Sequence, residues 1–212
     1  MCPDCMARIT LITRPQCPVC GDILKFGKST CGVCADKTQF FSALASWAEY
    51  AGPLRSAIHS LKYKNNLGLG DFFAGYLIEL LRSKSFPVNL IVPVPLSKSR
   101  IRTRGFNQSL LLARPVSFYL QIPLSNTALR RIKETDSQVH LNAQEREQNM
   151  AGAFSGNPAT LKGKDVLLVD DIITTGATMN QCAAAILESG ARSVYGISLA
   201  KTILSSPISG SV

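Results

Sequence analysis

The 212-residue chain has two histidines, His59 and His140, and neither stands at metal-ligand spacing or within a Ser/His/Asp arrangement. Glutamates paired for acid–base work are missing too. Mechanisms built on a nucleophile–histidine pair or on paired glutamates therefore have nothing to rest on. The apolar run from Phe72 to Leu81 is too short for a membrane span and contains Glu79. No signal peptide precedes the first cysteines, so the expectation is a cytoplasmic protein without membrane insertion. No low-complexity tract interrupts a chain that is 46% hydrophobic, and its length suits one α/β domain with a small appendage. Acidic residues are in deficit, 14 against 23 Lys and Arg. The resulting formal charge of +9 favours polyanionic partners, whether pyrophosphate, nucleotides or nucleic acid, without choosing among them.

Cysteine, by contrast, is concentrated at the amino terminus. Six of the seven cysteines form C-x-x-C pairs before residue 35: Cys2/Cys5, Cys17/Cys20 and Cys31/Cys34. Disulfides would require an oxidising compartment, for which no export signal speaks. Cys17-Pro-Val-Cys-Gly21 reads as a metal knuckle whose glycine lets backbone N–H groups turn toward thiolate sulfurs. Ten residues separate it from Cys31-Gly-Val-Cys34, which suits a tetrahedral Cys₄ zinc site. Cys2 and Cys5 form an extra pair, competing for the same metal or partnered upstream. Residues 1–38 are thus expected to be a zinc-ribbon-like module whose folding energy comes from Zn²⁺. Cys182 falls on an apolar helical face and reads as core.

The most specific stretch is Val166-Leu-Leu-Val-Asp-Asp-Ile-Ile-Thr-Thr-Gly-Ala-Thr-Met179. Four apolar residues, Val166 to Val169, read as a strand buried on both faces, with Asp170 and Asp171 at its carboxyl end, where open α/β sheets bind ligands. The turn Thr174-Thr-Gly-Ala-Thr178 leads into a helix from Met179 to Ser189, so an anion would sit on a helix N-terminus. A P-loop needs lysine directly after its last glycine, and Ala177 holds that place. The whole stretch resembles the phosphoribosyl-pyrophosphate (PRPP) loop of type I phosphoribosyltransferases.

Further elements are predicted on either side. Phe40–Tyr50 reads as a strand, and Pro53 opens a helix carrying Leu54, Ile58 and Leu61. A helix follows at about Asp71–Leu81, then strands at Asn89–Pro95, Ala128–Ile132 and Val194–Leu199. Asn107–Tyr119 has helical spacing, with Pro115 expected to kink or split it. Alternating strands and helices imply α/β architecture, a doubly wound parallel sheet spanning residues 39–204, with a disordered tail at 205–212. In the loop Pro95–Gln108, Lys98, Arg100, Arg102 and Arg104 stand two apart. Extended chain would point all four to one side as a pyrophosphate clamp.

Arg104-Gly-Phe-Asn-Gln108, Thr135-x-x-Gln138, Leu141, Arg146-x-x-Asn149 and Ala153-Phe154 precede the PRPP-like loop in order. With Leu61-Lys-Tyr63 and the cysteine pairs, they resemble the ComF family over roughly residues 2–200. The resemblance implies a phosphoribosyltransferase-type domain with a zinc module, acting in uptake or handling of single-stranded DNA during natural transformation. A competence helicase is a partner it allows for. Asp170 and Asp171 would bind the ribose hydroxyls of PRPP, directly or through Mg²⁺. Thr174, Thr175, Gly176, Ala177 and Thr178 would hold its 5-phosphate, with Arg100 and Arg104 facing pyrophosphate. Residues 135–149 resemble the mobile loop of such enzymes, with Gln138 and Arg146 reaching the ligand. Tyr63 and Phe106, each among basic residues, offer stacking surfaces for bases. Whether PRPP is turned over is left open. The other reading is an active pentosyltransferase of nucleotide or amine metabolism with an unidentified acceptor and no DNA role. A zinc-ribbon RNA-processing protein would account for the cysteines but not for the two aspartates.

Overall fold

Within residues 1–24, 26–36, 39–64, 66–133 and 152–203, which the computed structural model describes, the frame is a four-stranded parallel sheet. Its strands β1 (Ala43–Glu49), β2 (Leu90–Pro93), β5 (Asp165–Ile173) and β6 (Ser193–Lys201) run in the order β1-β6-β5-β2. A separate antiparallel ribbon pairs β3 (Leu129–Arg131) with β4 (Phe154–Gly156). Val166 to Val169 are fully buried because both faces of the sheet are covered. On one face Leu167 and Val169 meet α3 (Gly52–Tyr63), α4 (Gly68–Lys84) and α6 (Gln108–Leu120). On the other, Val166 and Leu168 meet the ribbon and α8 (Ala177–Glu188), which buries Met179, Cys182, Ala183 and Ile186. The doubly wound parallel architecture expected from the sequence is therefore present, with Cys182 in the core. The short helices are α1 (Pro3–Ala7), α2 (Gly32–Asp36), α5 (Lys98–Arg104) and α7 (Pro158–Leu161).

Three local expectations need correction. β5 does not end before the acidic pair but runs through it to Ile173, because β6 continues alongside, pairing Asp170 with Ser198 and Ile172 with Ala200. The basic segment is not extended. Ser97 caps it, its hydroxyl accepting from the Arg100 N–H at 3.3 Å, and Gly105 closes it at φ +82°, so residues 98–104 form a helix. Pro115 does not split α6, which is continuous from Gln108 to Leu120. Proline removes one internal hydrogen bond, while burial of Leu112, Ala113 and Val116 on both sides of it holds the helix together.

The cysteine-rich segment is docked on the sheet. The edge strand β1 receives it along its outer side: Leu44 N–H donates to Val19 O (2.6 Å), Ile12 N–H to Trp47 O (3.3 Å) and Glu49 N–H to Thr10 O (2.8 Å). Val19 and Cys20 pack on the core beneath. An edge that would otherwise expose unpaired backbone is thereby covered.

The seat of α8 depends on Gly156. A Cβ there would collide with Ser189 Oγ and lie 2.7 Å from Leu161 Cδ1 and 2.8 Å from Ala185 O, the last a backbone atom that cannot yield alone. Gly156→Ala is expected to lower stability by about 1–3 kcal/mol in denaturant unfolding, as overpacked sites do. An unchanged midpoint would show that α8 is free to shift.

Candidate functional site

The carboxyl end of the sheet opens into a cleft of about 820 Å³. β2 stops at Pro93, paired with Val169, so no strand flanks Asp170 and Asp171 on that side. The first turn of α6 takes the place. Asn107 anchors it, its Oδ1 accepting from the Ser109 N–H (2.9 Å) while its Nδ2 donates to Val94 O (3.0 Å). Gln108 Nε2 then donates to Asp171 Oδ1 at 3.0 Å, and the Ser109 hydroxyl to Asp170 Oδ1 at 2.8 Å. Lys62, in the last turn of α3, brings its Nζ to 2.5 Å from Asp171 Oδ2. Both aspartates are buried. Burial and the neighbouring Asp171 charge push Asp170 up to about 7, against the opposing pull of the Ser109 hydroxyl and Lys62.

Past β5 the chain turns through Thr174, Thr175 and Gly176 into α8. Gly176 is the N-cap residue at φ +81°, a conformation that side chains with a Cβ rarely adopt, and the Thr175 hydroxyl accepts from the Ala177 N–H at 3.4 Å. Thr174 and Thr178 line the cleft, with Thr175 and Gly176 in the turn between them and Ala177 opening α8. The first-turn N–H groups of a helix have no intrahelical partner, and its dipole favours negative charge there. A phosphate-sized anion matches that end of the cleft.

The opposite wall carries cations. Because α5 is a helix, Arg100 and Arg104 share a face, and both line the cleft; Lys98 and Arg102 are exposed and do not. The expected four-cation clamp is thus a two-arginine wall. The Arg104 guanidinium lies 5.1 Å from the centre of the Tyr63 ring and donates to Gln108 Oε1, while its buried Nε has no hydrogen-bond partner among the described residues. Arg131, from β3, also reaches the cleft.

Lys62, Gln108, Ser109 and Arg131 were not legible as site residues. Lys62 and Gln108 belong to recognisable short motifs, but no spacing links them to aspartates some sixty to a hundred residues away. Tyr63 belongs to the cleft wall, and Lys62 beside it is ion-paired with Asp171. Gln138, Arg146 and the tail 205–212 lie outside the described residues.

The sulfurs of Cys17, Cys20, Cys31 and Cys34 lie within 4.8 Å of one another, a donor set that fits one tetrahedral ion such as Zn²⁺. Cys2 and Cys5, considered as competing ligands, fall outside this cluster. They lie at α1, where Cys5 lines a different pocket with Arg8 and Ser60. Burial pushes Cys20 up to about 12 and also raises Cys34. Metal binding must displace those protons, so affinity for the ion should rise with pH. Among the described residues no helix is long and apolar enough to cross a membrane.

Residues 107–202 match the phosphoribosyl transferase domain family. Over nearly its whole length the chain is similar to curated proteins. It is 32% identical to DNA utilization protein YhgH of Escherichia coli K12, covering 96% of this chain and 91% of that one. It is 31% identical to competence protein F of Haemophilus influenzae (95% and 90%) and 29% identical to competence protein ComFC of Bacillus subtilis (95% and 84%). With that coverage, a parallel sheet whose strand β5 carries an acidic pair and leads into a glycine-capped helix, and a four-cysteine cluster at its edge, the chain belongs to the ComF family.

Proposed function

We propose that the cleft binds PRPP, and that the protein serves in the handling of single-stranded DNA during natural transformation. The observation that carries the first half is convergence. Two buried aspartates, the N-terminus of α8 and the Arg100/Arg104 wall all face one cavity, and they match in order the diol, the 5-phosphate and the pyrophosphate of that ligand. Carboxylate oxygens suit Mg²⁺, which binds through one or two carboxylates together with phosphates. Bound with the ligand, Mg²⁺ would neutralise pyrophosphate charge, while the arginines grip phosphate oxygens.

Calorimetric titration with PRPP and Mg²⁺ tests this, with pyrophosphate release measured on the same samples. Arg100→Ala/Arg104→Ala should weaken binding at least about tenfold, since hydrogen bonds to charged groups contribute about 1.5–3 kcal/mol. Lys98→Ala/Arg102→Ala should leave it unchanged. Absence of binding to the wild type would end the PRPP reading.

The DNA half is supported by the relatives' names and by the charge of +9. The expected result is single-stranded DNA binding that falls steeply with salt, as phosphate contacts release counterions, and a transformation defect in a deletion strain. Normal transformation together with transfer of phosphoribose to a small acceptor and release of pyrophosphate would instead favour the metabolic pentosyltransferase.

A further inference from the structure

We propose that Lys201 is the counter-cation of the four-cysteine metal centre: its buried ammonium balances the negative charge that four thiolates leave around one divalent ion, so that the end of β6 takes part in holding the metal. The inference rests on the fit of Zn²⁺ to the cysteine cluster and is independent of the PRPP reading of the cleft.

Lysine is almost never fully buried without a partner, because its ammonium must give up water. Lys201, the last residue of β6, is 4% exposed. Its Nζ donates to Cys20 O at 3.4 Å. Among the described residues no carboxylate makes an ion pair with it. The acid that the parallel register sets opposite it is Glu49 of β1, and that carboxylate takes the Arg14 guanidinium at 2.8 Å. Nor does the charge serve the cleft, whose lining does not include Lys201. A carbonyl satisfies one N–H of the ammonium and leaves its charge without an anion.

The anion it needs is supplied by the residue it touches. Cys20 carries both the carbonyl that receives the ammonium and one of the four clustered sulfurs. Sulfurs that ligate a metal are thiolates, so one divalent ion in this set leaves the centre doubly anionic. Cys17 is buried and the other three are half-buried, so little water is at hand to spread that charge. A cation beside it lowers the cost on both sides: the ammonium gains an anion and the thiolates gain a counter-charge. The backbone keeps the two together. Leu44 N–H of β1 donates to Val19 O at 2.6 Å, and Gly21, at φ +65°, sits so close that an added Cβ would meet Leu44 O at 2.8 Å. Since β1 pairs with β6, the Cys17–Gly21 knuckle is pinned to the strand pair that carries Lys201. Without the metal the anion is lost, and the ammonium stays buried.

The test titrates the zinc-loaded full-length wild type and Lys201→Met with a chromophoric chelator, and melts each protein with its metal and after removal. Methionine keeps the length and removes the charge. Lys201→Met should hold zinc about 10- to 100-fold more weakly, the usual cost of losing an outer-shell partner. The metal-free variant should melt no lower than the metal-free wild type, because a buried charge without an anion has been removed. A lysine that serves packing alone would give the reverse pattern, with zinc affinity unchanged and both forms less stable. Equal zinc affinity in the two proteins, or a metal-free variant destabilised as much as the loaded one, would overturn the proposal. So would a wild type that binds no zinc. Lys201→Gln, which keeps a donor for Cys20 O and lacks the charge, should lose zinc as Lys201→Met does. Retention at the wild-type level in Lys201→Gln would show that the hydrogen bond suffices and would sink the counter-charge. Should Lys201→Met not fold, the same two measurements on Lys201→Gln decide the matter.

Discussion

Asp170→Asn should melt at a higher temperature than the wild type at pH 8 while binding PRPP roughly 10- to 100-fold more weakly. The stability half follows from linkage. The Asp170 carboxyl is raised from an ordinary 3.8 to about 7 in the folded protein, first by burial and then by Asp171. Between those values the folded state holds a proton that the unfolded chain has released, so stability falls as pH rises through this window. The contribution of the neutral acid is complete below about pH 4 and is lost above about pH 7. At pH 8 the wild type therefore carries a second buried charge beside Asp171, and asparagine removes it while keeping an oxygen for the Ser109 hydroxyl, now at 2.8 Å. The gain in melting temperature should shrink steadily from pH 8 to pH 4. The affinity half follows because asparagine cannot offer a charged acceptor, and such hydrogen bonds contribute about 1.5–3 kcal/mol. Melts across pH paired with calorimetry check both. A variant that is destabilised at pH 8 would show that the pair is not held under charge strain. Stability given up at a binding site is the usual exchange for a preorganised charge.

Removing the metal should have the larger structural effect. Zinc analysis of purified protein should find one ion per chain, retained in Cys2→Ser/Cys5→Ser and lost in Cys17→Ser/Cys20→Ser, because only the second pair belongs to the four-sulfur cluster. Chelation should lower the melting temperature by on the order of 10 °C, given the folding energy that structural zinc sites supply. The consequence should not stop at the module. Val19 and Cys20 pack on the main core, Val19 O accepts from Leu44 of the edge strand, and the buried Lys201 donates to Cys20 O at 3.4 Å. Losing that cover bares β1, so the metal-free protein should also aggregate, visible by light scattering. Unchanged melting after complete chelation would show that docking alone holds the segment.

How far the fold was legible depended on whether the signal was local. The run Val166–Val169 announced a strand buried on both faces, since its residues are apolar without alternation, and Gly176 announced a turn before a helix because few other residues adopt its backbone angles. The cysteine knuckles were equally local, as metal geometry restricts the spacing of ligands. The basic segment misled because alternate spacing has meaning only once the backbone conformation is known. A capping serine and a closing glycine decided for a helix, and Arg100 and Arg104 parted from Lys98 and Arg102.

The sequence by itself therefore determined which chemistry the chain carries: two carboxylates, a small-residue turn, basic side chains and four thiols, each written in a short stretch with its own spacing rule. Only the tertiary structure decided which of them share a site. Gln108 and Ser109 meet Asp171 and Asp170 because β2 ends early and the start of α6 fills the gap, while Lys62 reaches Asp171 from α3 and Arg131 joins the cleft from β3. That pairing depends on strand order and helix packing, which place residues far apart in the chain within hydrogen-bond reach and leave no periodic trace among them.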